Sequence, residues 1–249
     1  MPSFSIVIPT FNRGNVVFRA IESIFDQTTD DWELILVDDG STDDTFQTIS
    51  PLINTSRIRY FFQENSGVSE ARNLGAEKSN GDWLIFLDSD DELTQTALSM
   101  FKNAIHKNPT IDLFVAGRDR KTKLGNEIRI PSEGEHNPML SGTFCIKSTI
   151  FQLSGGYDSR FTFAENTELF YRIGKLNIAR YFIPEVSLIY HDTTFGGSKN
   201  LDNIVNSISF FLTKHEHTMG THQRYLYHQI VGVNQLRLQR FEDAKSHLW

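Results

Sequence analysis

Short apolar segments alternate with segments of helical spacing over roughly the first ninety residues of the chain. The apolar segments are Phe4–Pro9, Trp32–Val37, Ile58–Phe62 and Leu84–Leu87. Continuous apolar runs that are rich in β-branched residues are typical of strands buried on both faces of a parallel sheet. Successive strand and helix units then predict a right-handed, mostly parallel sheet that is flanked by helices. We therefore predict an α/β fold.

Polar or aromatic residues stand where three of these predicted strands end. Thr10 and Phe11 follow the first strand, Asp39 follows the second, and Asp88 and Asp90 follow the fourth. Because ligands of open α/β sheets bind at the carboxyl ends of the strands, this convergence favours a pocket over a set of unrelated turns. The first loop contains neither G-x-G-x-x-G nor G-x-x-x-x-G-K-[ST], which disfavours a dinucleotide fingerprint and a P-loop.

The fourth segment, LIFLDSDD at Leu84–Asp91, ends in three carboxylates. Asp88 and Asp90 are two positions apart, so an extended backbone would direct both side chains to the same side. Neighbouring carboxylates repel each other, and a divalent cation relieves this repulsion and keeps both ionised. A metal site is one interpretation, and a polar loop in which Asp90 or Asp91 caps the next helix is the other.

Composition limits the possible partners and compartments. The 249 residues are 39% hydrophobic and 22% charged, which is typical of an ordered globular protein. Lys and Arg number 24 against 31 Asp and Glu, so the net charge of -7 provides no general attraction for nucleic acid. The single cysteine, Cys145, excludes an internal disulfide and fits a reducing compartment. Because residues 1–11 lack the pattern of a signal peptide and no apolar run reaches about 18 residues, we expect a cytoplasmic location.

A more specific indication comes from four segments considered together. They are SIVIPTFNR at Ser5–Arg13, ELILVDDGSTDDT at Glu33–Thr45, NSGVSEARNLG at Asn65–Gly75 and GDWLIFLDSDD at Gly81–Asp91. In this order the segments resemble family 2 glycosyltransferases of GT-A fold, which have a Rossmann-like central sheet. The resemblance implies a metal-dependent, inverting hexosyltransferase. It would move a sugar from a nucleotide diphosphate sugar, most often a UDP-sugar, to a hydroxyl of a glycan or lipid-linked acceptor in cell-surface polysaccharide synthesis.

The resemblance also implies a domain organisation. Residues 1–200 would form the GT-A domain, with a nucleotide-sugar-binding half at 1–92 and an acceptor half at 93–200. Residues 201–249 would form a helical extension, because apolar residues recur there at helical spacing. The glycine-containing segment 194–199 is predicted to form a flexible flap over the donor.

The donor-binding residues are assigned by the resemblance. Phe11, where the family usually has tyrosine, would flank the base, and backbone groups of Pro9 and Thr10 would reach its polar edge. Asp39 would accept a hydrogen bond from uracil N3, as an ionised carboxylate can. Arg72 would reach the diphosphate. The full set implied for donor binding adds Arg13, Gly67, Asp88 and Ser89.

The metal ligands are implied in the same way. Asp88 and Asp90 match the D-x-D motif of the family, with Asp88 near the ribose and the metal and Asp90 as a direct ligand. The expected ion is Mn²⁺ or Mg²⁺, because hard oxygen ligands and a shell completed by phosphate suit such ions. His191 follows an apolar strand-like run and would complete the metal shell or touch the diphosphate.

The general base is the position at which the chain departs from the family. The family usually has Glu-Asp where this sequence has Glu165 and Asn166, and the aspartate is the expected base. Asn166 cannot accept a proton at neutral pH. Our hypothesis is that Glu165 is the base. The alternatives are Glu168, a group supplied by the substrate, or a catalytically impaired protein that binds nucleotide sugar without turnover.

Two other enzyme classes fit the sequence less well. A haloacid-dehalogenase phosphatase needs D-x-D-x-[TV] after its first strand, whereas here the motif follows the fourth and Glu92 fills the last place. A sugar nucleotidyltransferase needs a glycine-rich basic loop after the first strand.

The C-terminal helices allow several roles. With Arg237, Arg240 and Lys245, they could pack on the catalytic domain, bind a partner or make a peripheral membrane contact. Packing on the catalytic domain is the simplest interpretation.

Overall fold

The computed structural model describes residues 3–53, 56–123, 125–134, 139–192 and 200–248, and the predicted flap at 194–199 lies outside these ranges. The strands are β1 (Phe4–Thr10), β2 (Trp32–Asp38), β3 (Ile58–Phe62), β4 (Trp83–Phe86), β5 (Glu92–Leu93), β6 (Leu113–Thr122), β7 (Gly125–Arg129), β8 (Phe144–Lys147) and β9 (Arg180–His191). The helices are α1 (Val17–Phe25), α2 (Thr45–Ile49), α3 (Val68–Lys78), α4 (Ala97–Lys107), α5 (Ser148–Leu153), α6 (Glu165–Gly174), α7 (Leu201–His215), α8 (Thr221–Arg237) and α9 (Phe241–Leu248).

One central sheet connects the strands in the order β3-β2-β1-β4-β8-β6-β9-β5, and β7 pairs with β6. The first four strands are parallel, with Thr10 opposite Asp38 and Asp38 opposite Phe62. Their carboxyl ends therefore lie at the same edge of the sheet. The predicted α/β fold and the C-terminal helices are confirmed. The sheet is mixed, because β8 joins antiparallel to both β4 and β6.

The central strands are buried on both faces, as their continuous apolar sequences indicate. Every residue of β1 and β2 is buried. One face of the sheet packs against α1, and Val7, Val37 and their neighbours on the other face pack against α3. Helix α3 lies very close to the sheet, since a Cβ atom at Gly75 would be 2.3 Å from Cγ1 of Val7. Glycine at this position therefore allows α3 to lie directly on the strands that carry the polar edge.

The chain forms two compact units. The first consists of Met1–Ser159 and Leu169–Asp192 and contains the sheet, and the second consists of Arg160–Glu168 and Thr193–Trp249. In the second unit, Phe161 packs against Phe210 and Phe211, which stabilises its interior. The domain boundaries expected at residues 92 and 200 stay a prediction. None of the helices in the described ranges combines the length and the apolar character that a membrane span requires.

Candidate active site

The loops that follow β1 and β2 are joined by hydrogen bonds. Asn12, whose φ of 52° is unusual for a residue with a side chain, accepts the backbone N–H of Thr42 at 2.8 Å through Oδ1. Its own N–H donates to Oγ of Ser41 at 2.9 Å, and the N–H of Arg13 donates to Oγ1 of Thr45 at 2.8 Å. These contacts make the two loops a single wall at the carboxyl edge of the sheet. Arg13, a predicted donor-binding residue, lies in this wall.

Asp38, at the end of β2, stabilises the same wall through hydrogen bonds to its carboxylate. Its Oδ1 accepts the N–H of Ser41 at 2.8 Å, and its Oδ2 accepts the hydroxyl of Tyr60 at 2.9 Å. Burial, the hydrogen bond to Asp38 and the charge of that carboxylate raise the pKa of Tyr60, so this hydroxyl remains a donor at neutral pH. Asp38 therefore supports the loop.

Asp39 holds the turn that leads into α3. Its Oδ1 accepts hydrogen bonds from Nε2 of Gln63 at 2.6 Å and from the N–H of Ser66 at 2.8 Å, and its Oδ2 accepts the N–H of Gly67 at 2.9 Å. Because each carboxylate oxygen can accept two hydrogen bonds, one position remains on Oδ2 among the described residues. The contact of Asp39 with uracil stays a prediction, and Oδ2 is the atom that can make it.

Gly67 and Phe11 lie at the accessible surface of this edge. Gly67 has a φ of 91°, which strongly favours glycine, and a Cβ atom there would meet no other described atom within 4 Å. Phe11 is 44% exposed, and Phe62 at the end of β3 is 59% exposed. Sequence analysis did not select Phe62, although its place at the end of a predicted strand was a usable signal. Exposed aromatic rings at a polar edge fit contacts with a flat ligand group.

Pro9 and Thr10 lie at the buried end of β1. The hydroxyl oxygen of Thr10 is buried and has no hydrogen-bond partner within the part of the chain that the structure describes. Its unused hydrogen-bonding capacity lies at the strand end where donor binding was predicted.

Arg72 is buried beneath the D-x-D segment. Its Nη2 donates to Oδ1 of Asp88 at 2.6 Å and to Oγ of Ser141 at 3.2 Å, and its guanidinium carbon lies 5.2 Å from the centre of the Tyr157 ring. The Arg72 side chain is only 3% exposed, whereas that of Asp88 is 38% exposed. Arg72 therefore supports Asp88 from the interior, and its predicted contact with a diphosphate stays a prediction. Ser141 and Tyr157, which are distant in sequence, were not selected by sequence analysis.

The three carboxylates of the D-x-D segment differ in their surroundings. Asp91 is 2% exposed, and burial followed by the charge of Asp88 raises its pKa to about 9. Burial and the charge of Asp88 also raise the pKa of Asp90, whereas Arg13 and Arg19 oppose this shift. Ser89 lies buried between the two predicted ligands. The ionised state of Asp90 is therefore costly here unless positive charge is added.

A further group of ionisable side chains lies next to Asp90. His191 bonds through Nε2 to Oε1 of Glu92 at 2.5 Å, and its backbone N–H donates to Oδ1 of Asp91 at 2.9 Å. Arg19 approaches Oε1 of Glu92 to 3.5 Å through Nε and donates through Nη2 to the carbonyl oxygen of Asp90. Sequence analysis identified His191 but did not select Arg19, which lies on α1.

These residues can be compared with the needs of a divalent cation. Over the described ranges, no group of three or more His, Cys, Asp or Glu side chains is arranged to hold a metal ion. Asp88 and Asp90 nevertheless supply hard oxygen atoms, and the raised pKa of Asp90 is a property that a nearby cation would reverse. The residues therefore fit an ion that takes most of its ligands from a bound phosphate and from water.

The predicted general base belongs to the second unit. Glu165 and Asn166 occupy the first turn of α6 and are partly exposed. Glu168, one turn further, is fully buried and pairs with Nζ of Lys214 at 2.6 Å and with Nε2 of His215 at 2.9 Å. A carboxylate that is buried and paired in this way is poorly placed to accept a proton from an incoming substrate, which disfavours Glu168 as the base.

Comparison with known proteins gives a consistent assignment. Residues 5–183 match the family model described as glycosyl transferase family 2. The chain is 41% identical over 102 residues to the GalNAc(5)-diNAcBac-PP-undecaprenol beta-1,3-glucosyltransferase of Campylobacter jejuni, a match that covers 40% of this chain and 33% of the relative. It is 32% identical over 181 residues to a PGL/p-HBAD biosynthesis glycosyltransferase of Mycobacterium tuberculosis, covering 70% of this chain and 60% of the relative. Two uncharacterized glycosyltransferases from Rickettsia are matched over 15% and 14% of their length. The chain therefore spans less than two thirds of the length of each of these four curated relatives.

Solved structures show the same fold. TarS 1–349 of S. aureus in complex with UDP has a TM-score of 0.66 at 14% identity, covering 100% of this chain and 88% of that chain. The complex of the same protein with UDP-GlcNAc has a TM-score of 0.68 at 16% identity, covering 94% of this chain and 71% of that chain. At this level of identity the similarity establishes the fold alone.

Proposed function

The chain belongs to glycosyltransferase family 2. On this basis we propose that it transfers a sugar from a nucleotide diphosphate sugar, namely a UDP-sugar, to an acceptor hydroxyl, and that the configuration at the anomeric carbon is inverted. The observation that carries the proposal is the position of Asp39, Arg72, Asp88 and Asp90 at the carboxyl edge of the four parallel strands β1 to β4. The acceptor in this proposal is a glycan or a lipid-linked saccharide of the cell surface. The names of the relatives from Campylobacter and Mycobacterium, which concern lipid-linked and glycolipid products, support this class.

The nucleoside would lie along the wall formed by the first two loops. Phe11 offers an exposed ring to the base, and Oδ2 of Asp39 retains one acceptor position for an N–H group. The open surface at Gly67 leaves room beside the amino end of α3, where backbone N–H groups favour an anionic group. These features together support a uracil-containing nucleotide.

The diphosphate would be held beside Asp88 and Asp90. The charge of Arg13 acts on Asp90, Arg72 is hydrogen-bonded to Asp88, and Ser89 lies between the two aspartates in the sequence. Asp90, with Asp88 and His191, would hold Mn²⁺ or Mg²⁺. When bound, this ion neutralises the negative charge that develops on the departing diphosphate. Because Asp88 is already paired with Arg72, a bound cation would stabilise the ionised form of Asp90 more than that of Asp88.

Glu165 would act as the general base that removes the proton from the acceptor hydroxyl. It is the carboxylate next to Asn166, and the burial of Glu168 disfavours one alternative base.

Transfer rates of Glu165→Gln and Asn166→Asp distinguish Glu165 as the base from a protein with impaired turnover. We expect a loss of about 100-fold or more in kcat for Glu165→Gln, and full activity of this variant would exclude Glu165. A large gain for Asn166→Asp would instead favour the second candidate, a nucleotide-sugar-binding protein with impaired turnover. A sugar nucleotidyltransferase is disfavoured by the family match.

The proposal includes a peripheral membrane contact through α8. The 17 residues of this helix contain Arg224 and Arg237 but no acidic residue, although the whole chain has a net charge of -7. Its exposed apolar side chains are Tyr225, Leu226, Ile230, Val233 and Leu236. Exposed apolar and basic side chains on one helix suit the interface of an anionic bilayer. Self-association is a poorer fit, because an antiparallel pair of these helices would bring like charges together.

A panel of nucleotide sugars tests the donor class. Thermal unfolding would be followed with each donor, with and without MnCl₂, and release of free nucleotide would be measured for any donor that stabilises the protein. Because ligands that bind only the folded state raise its stability, at least one UDP-sugar should raise Tm by several degrees in a Mn²⁺-dependent manner. Stabilisation by purine nucleotide sugars alone would contradict the proposed donor.

A further inference from the structure

The segment that carries the predicted base belongs with the C-terminal helices. Residues Arg160–Glu168 fall in the second compact unit together with Thr193–Trp249, and the first turn of α6, with Glu165 and Asn166, lies inside this segment. The contacts that fix the segment therefore also determine the position of the predicted base.

Aromatic packing fixes the first part of the segment on α7. The ring of Phe161 is buried, and its centre lies 5.0 Å from that of Phe210 and 6.4 Å from that of Phe211. The backbone N–H of Phe163 donates to Oγ of Ser207, on the same helix, at 3.2 Å. Close-packed rings and a hydrogen bond to one helix leave this part of the segment little conformational freedom.

A buried ion pair fixes the other end of the segment on α7. Oε1 of Glu168 lies 2.6 Å from Nζ of Lys214 and 2.9 Å from Nε2 of His215. The Glu168 side chain is fully buried, and that of Lys214 is 23% exposed. Nζ of Lys214 also lies 5.7 Å from the centre of the Phe161 ring, so one side chain of α7 contacts both ends of the segment. Because a buried charge is costly without its partner, loss of this pair should disturb the first turn of α6.

The backbone between these two attachments is strained. Ala164 has a φ of 58°, a left-handed conformation that residues with a Cβ atom rarely adopt. Its carbonyl oxygen accepts the N–H of Glu168 at 3.0 Å, which closes the turn that contains Glu165. Such a conformation persists only where the surrounding contacts enforce it, and it occurs often at functional sites. The contacts with α7 supply that enforcement on both sides of Ala164.

We propose that Glu168 is a positioning residue, and that its ion pair with Lys214 holds the first turn of α6 in the orientation in which Glu165 accepts the proton of the acceptor hydroxyl. This inference rests on the proposed function, in which Glu165 is the base. Glu168 acts through Glu165 and does not touch the substrate. The inference also assigns to α7, the first helix of the C-terminal extension, a part in catalysis.

Replacement of Glu168 by glutamine tests this role, because the amide keeps the size of the side chain and removes its charge. Turnover is measured as release of UDP into water from the UDP-sugar that most stabilises the wild type, and UDP affinity is measured by calorimetry with Mn²⁺. We expect kcat to fall about 10- to 100-fold, since a small displacement of a catalytic group is sufficient for such a loss. UDP affinity should be unchanged, because Asp39, Asp88 and Asp90 belong to the first unit. A fall in UDP affinity as large as the fall in kcat would overturn the inference.

A double-variant comparison shows whether Glu168 acts through Glu165. If Glu168 only positions this base, adding Glu168→Gln to Glu165→Gln should lower kcat little further, because the group that is positioned has already been lost. Losses that multiply would reveal an independent role and would overturn the inference. Glu216→Gln, the same change at an exposed position directly after α7, is the matched control and should keep the wild-type kcat.

Two variants of Lys214 distinguish mispositioning from misfolding. Lys214→Arg keeps the charge and should retain most of the turnover. Glu168→Gln combined with Lys214→Gln removes both charges of the pair, so this protein should give a wild-type circular dichroism spectrum and still show the reduced kcat. Wild-type kcat in the folded double variant would overturn the inference.

The outcomes also distinguish this inference from the proposed function. If the wild type binds UDP and releases it from a UDP-sugar but Glu168→Gln has the same kcat, the role of Glu168 is wrong and the proposed function stands. If the folded wild type binds no UDP and releases none from any UDP-sugar, the proposed function fails and the inference fails with it.

Discussion

Nη2 of Arg72 and Oδ1 of Asp88 are 2.6 Å apart, although Arg72 belongs to α3 and Asp88 follows β4. The buried guanidinium holds the first carboxylate of the D-x-D segment and also contacts Oγ of Ser141. Among the described residues Asp90 has no equivalent buried partner, and its pKa is raised by burial and by Asp88. This asymmetry predicts separate roles, with Asp88 fixed by the protein and Asp90 more dependent on an added cation.

Replacement of Arg72 by lysine should damage both stability and donor binding. Lysine keeps the charge but cannot present the planar set of donors that contacts Asp88 and Ser141. We expect a loss of about 1–3 kcal/mol in unfolding free energy, because a partly buried ion pair is disturbed, and a donor affinity that is about tenfold lower. Urea denaturation and calorimetry measure the two effects. The exposed pair of Arg240 and Asp202 provides the control, Arg240→Lys, for which the change should stay below about 0.5 kcal/mol.

Replacement of Asp39 by asparagine should loosen the turn before α3. The amide group would bring an N–H donor to one of the two oxygen positions that now accept hydrogen bonds from Gln63, Ser66 and Gly67. An unsatisfied donor in this buried place costs about 1–3 kcal/mol. Affinity for UDP should fall as well, and affinity for inorganic pyrophosphate should change less. Glu64→Gln, an exposed change in the same loop, is the control; equal effects of the two variants would contradict this role of Asp39.

Acid should weaken a contact at the opposite end of β1. Hydrogen bonds from Lys102 and Ser3 lower the pKa of Asp31 from 3.8 to about 2. Because the pKa is lower in the folded state, Asp31 contributes stability that is fully present above about pH 4 and is lost as the pH falls towards 2. Lys102 is half exposed, so the contribution is limited to about 1 kcal/mol. Urea unfolding of wild type and Asp31→Asn should differ by this amount at pH 7 and converge near pH 2; a constant difference would contradict the assignment.

Sequence alone predicted the features that local residue patterns determine. It did not predict the features that depend on contacts between segments far apart in the chain. Strands and their end residues were predictable for β1 to β4, because burial on both faces leaves continuous apolar runs. The antiparallel insertion of β8 was not predicted, since strand order depends on contacts between distant segments. Arg72 was selected from the sequence, and its role at the site stays a prediction; its contact with Ser141 spans 69 residues and has no local signal. Arg19 was missed for the same reason, and the burial of Glu168 became apparent only with the partners Lys214 and His215.

The surface of α8 predicts selective binding to anionic vesicles. Each basic residue near such a surface contributes about 1 kcal/mol, so Arg224→Gln combined with Arg237→Gln should weaken binding about 10- to 30-fold. Co-sedimentation with phosphatidylcholine vesicles, with and without phosphatidylglycerol, measures this effect at low and high salt. Lys107→Gln combined with Lys123→Gln, two exposed changes on the sheet unit, removes the same charge and is the control. Equal binding of the double variant, or concentration-dependent dimerisation through α8 in place of vesicle binding, would contradict the membrane contact.

Calorimetric titration of UDP in the presence of Mn²⁺ tests the donor site most directly, with wild-type protein compared with the Asp88→Ala, Asp90→Ala double variant. Because the proposed cation joins these carboxylates to the diphosphate, binding to the wild type should weaken at least about tenfold when Mn²⁺ is omitted, and the double variant should show the weaker affinity under both conditions. Equal UDP affinity of a folded double variant and the wild type, with Mn²⁺ present, would contradict the account.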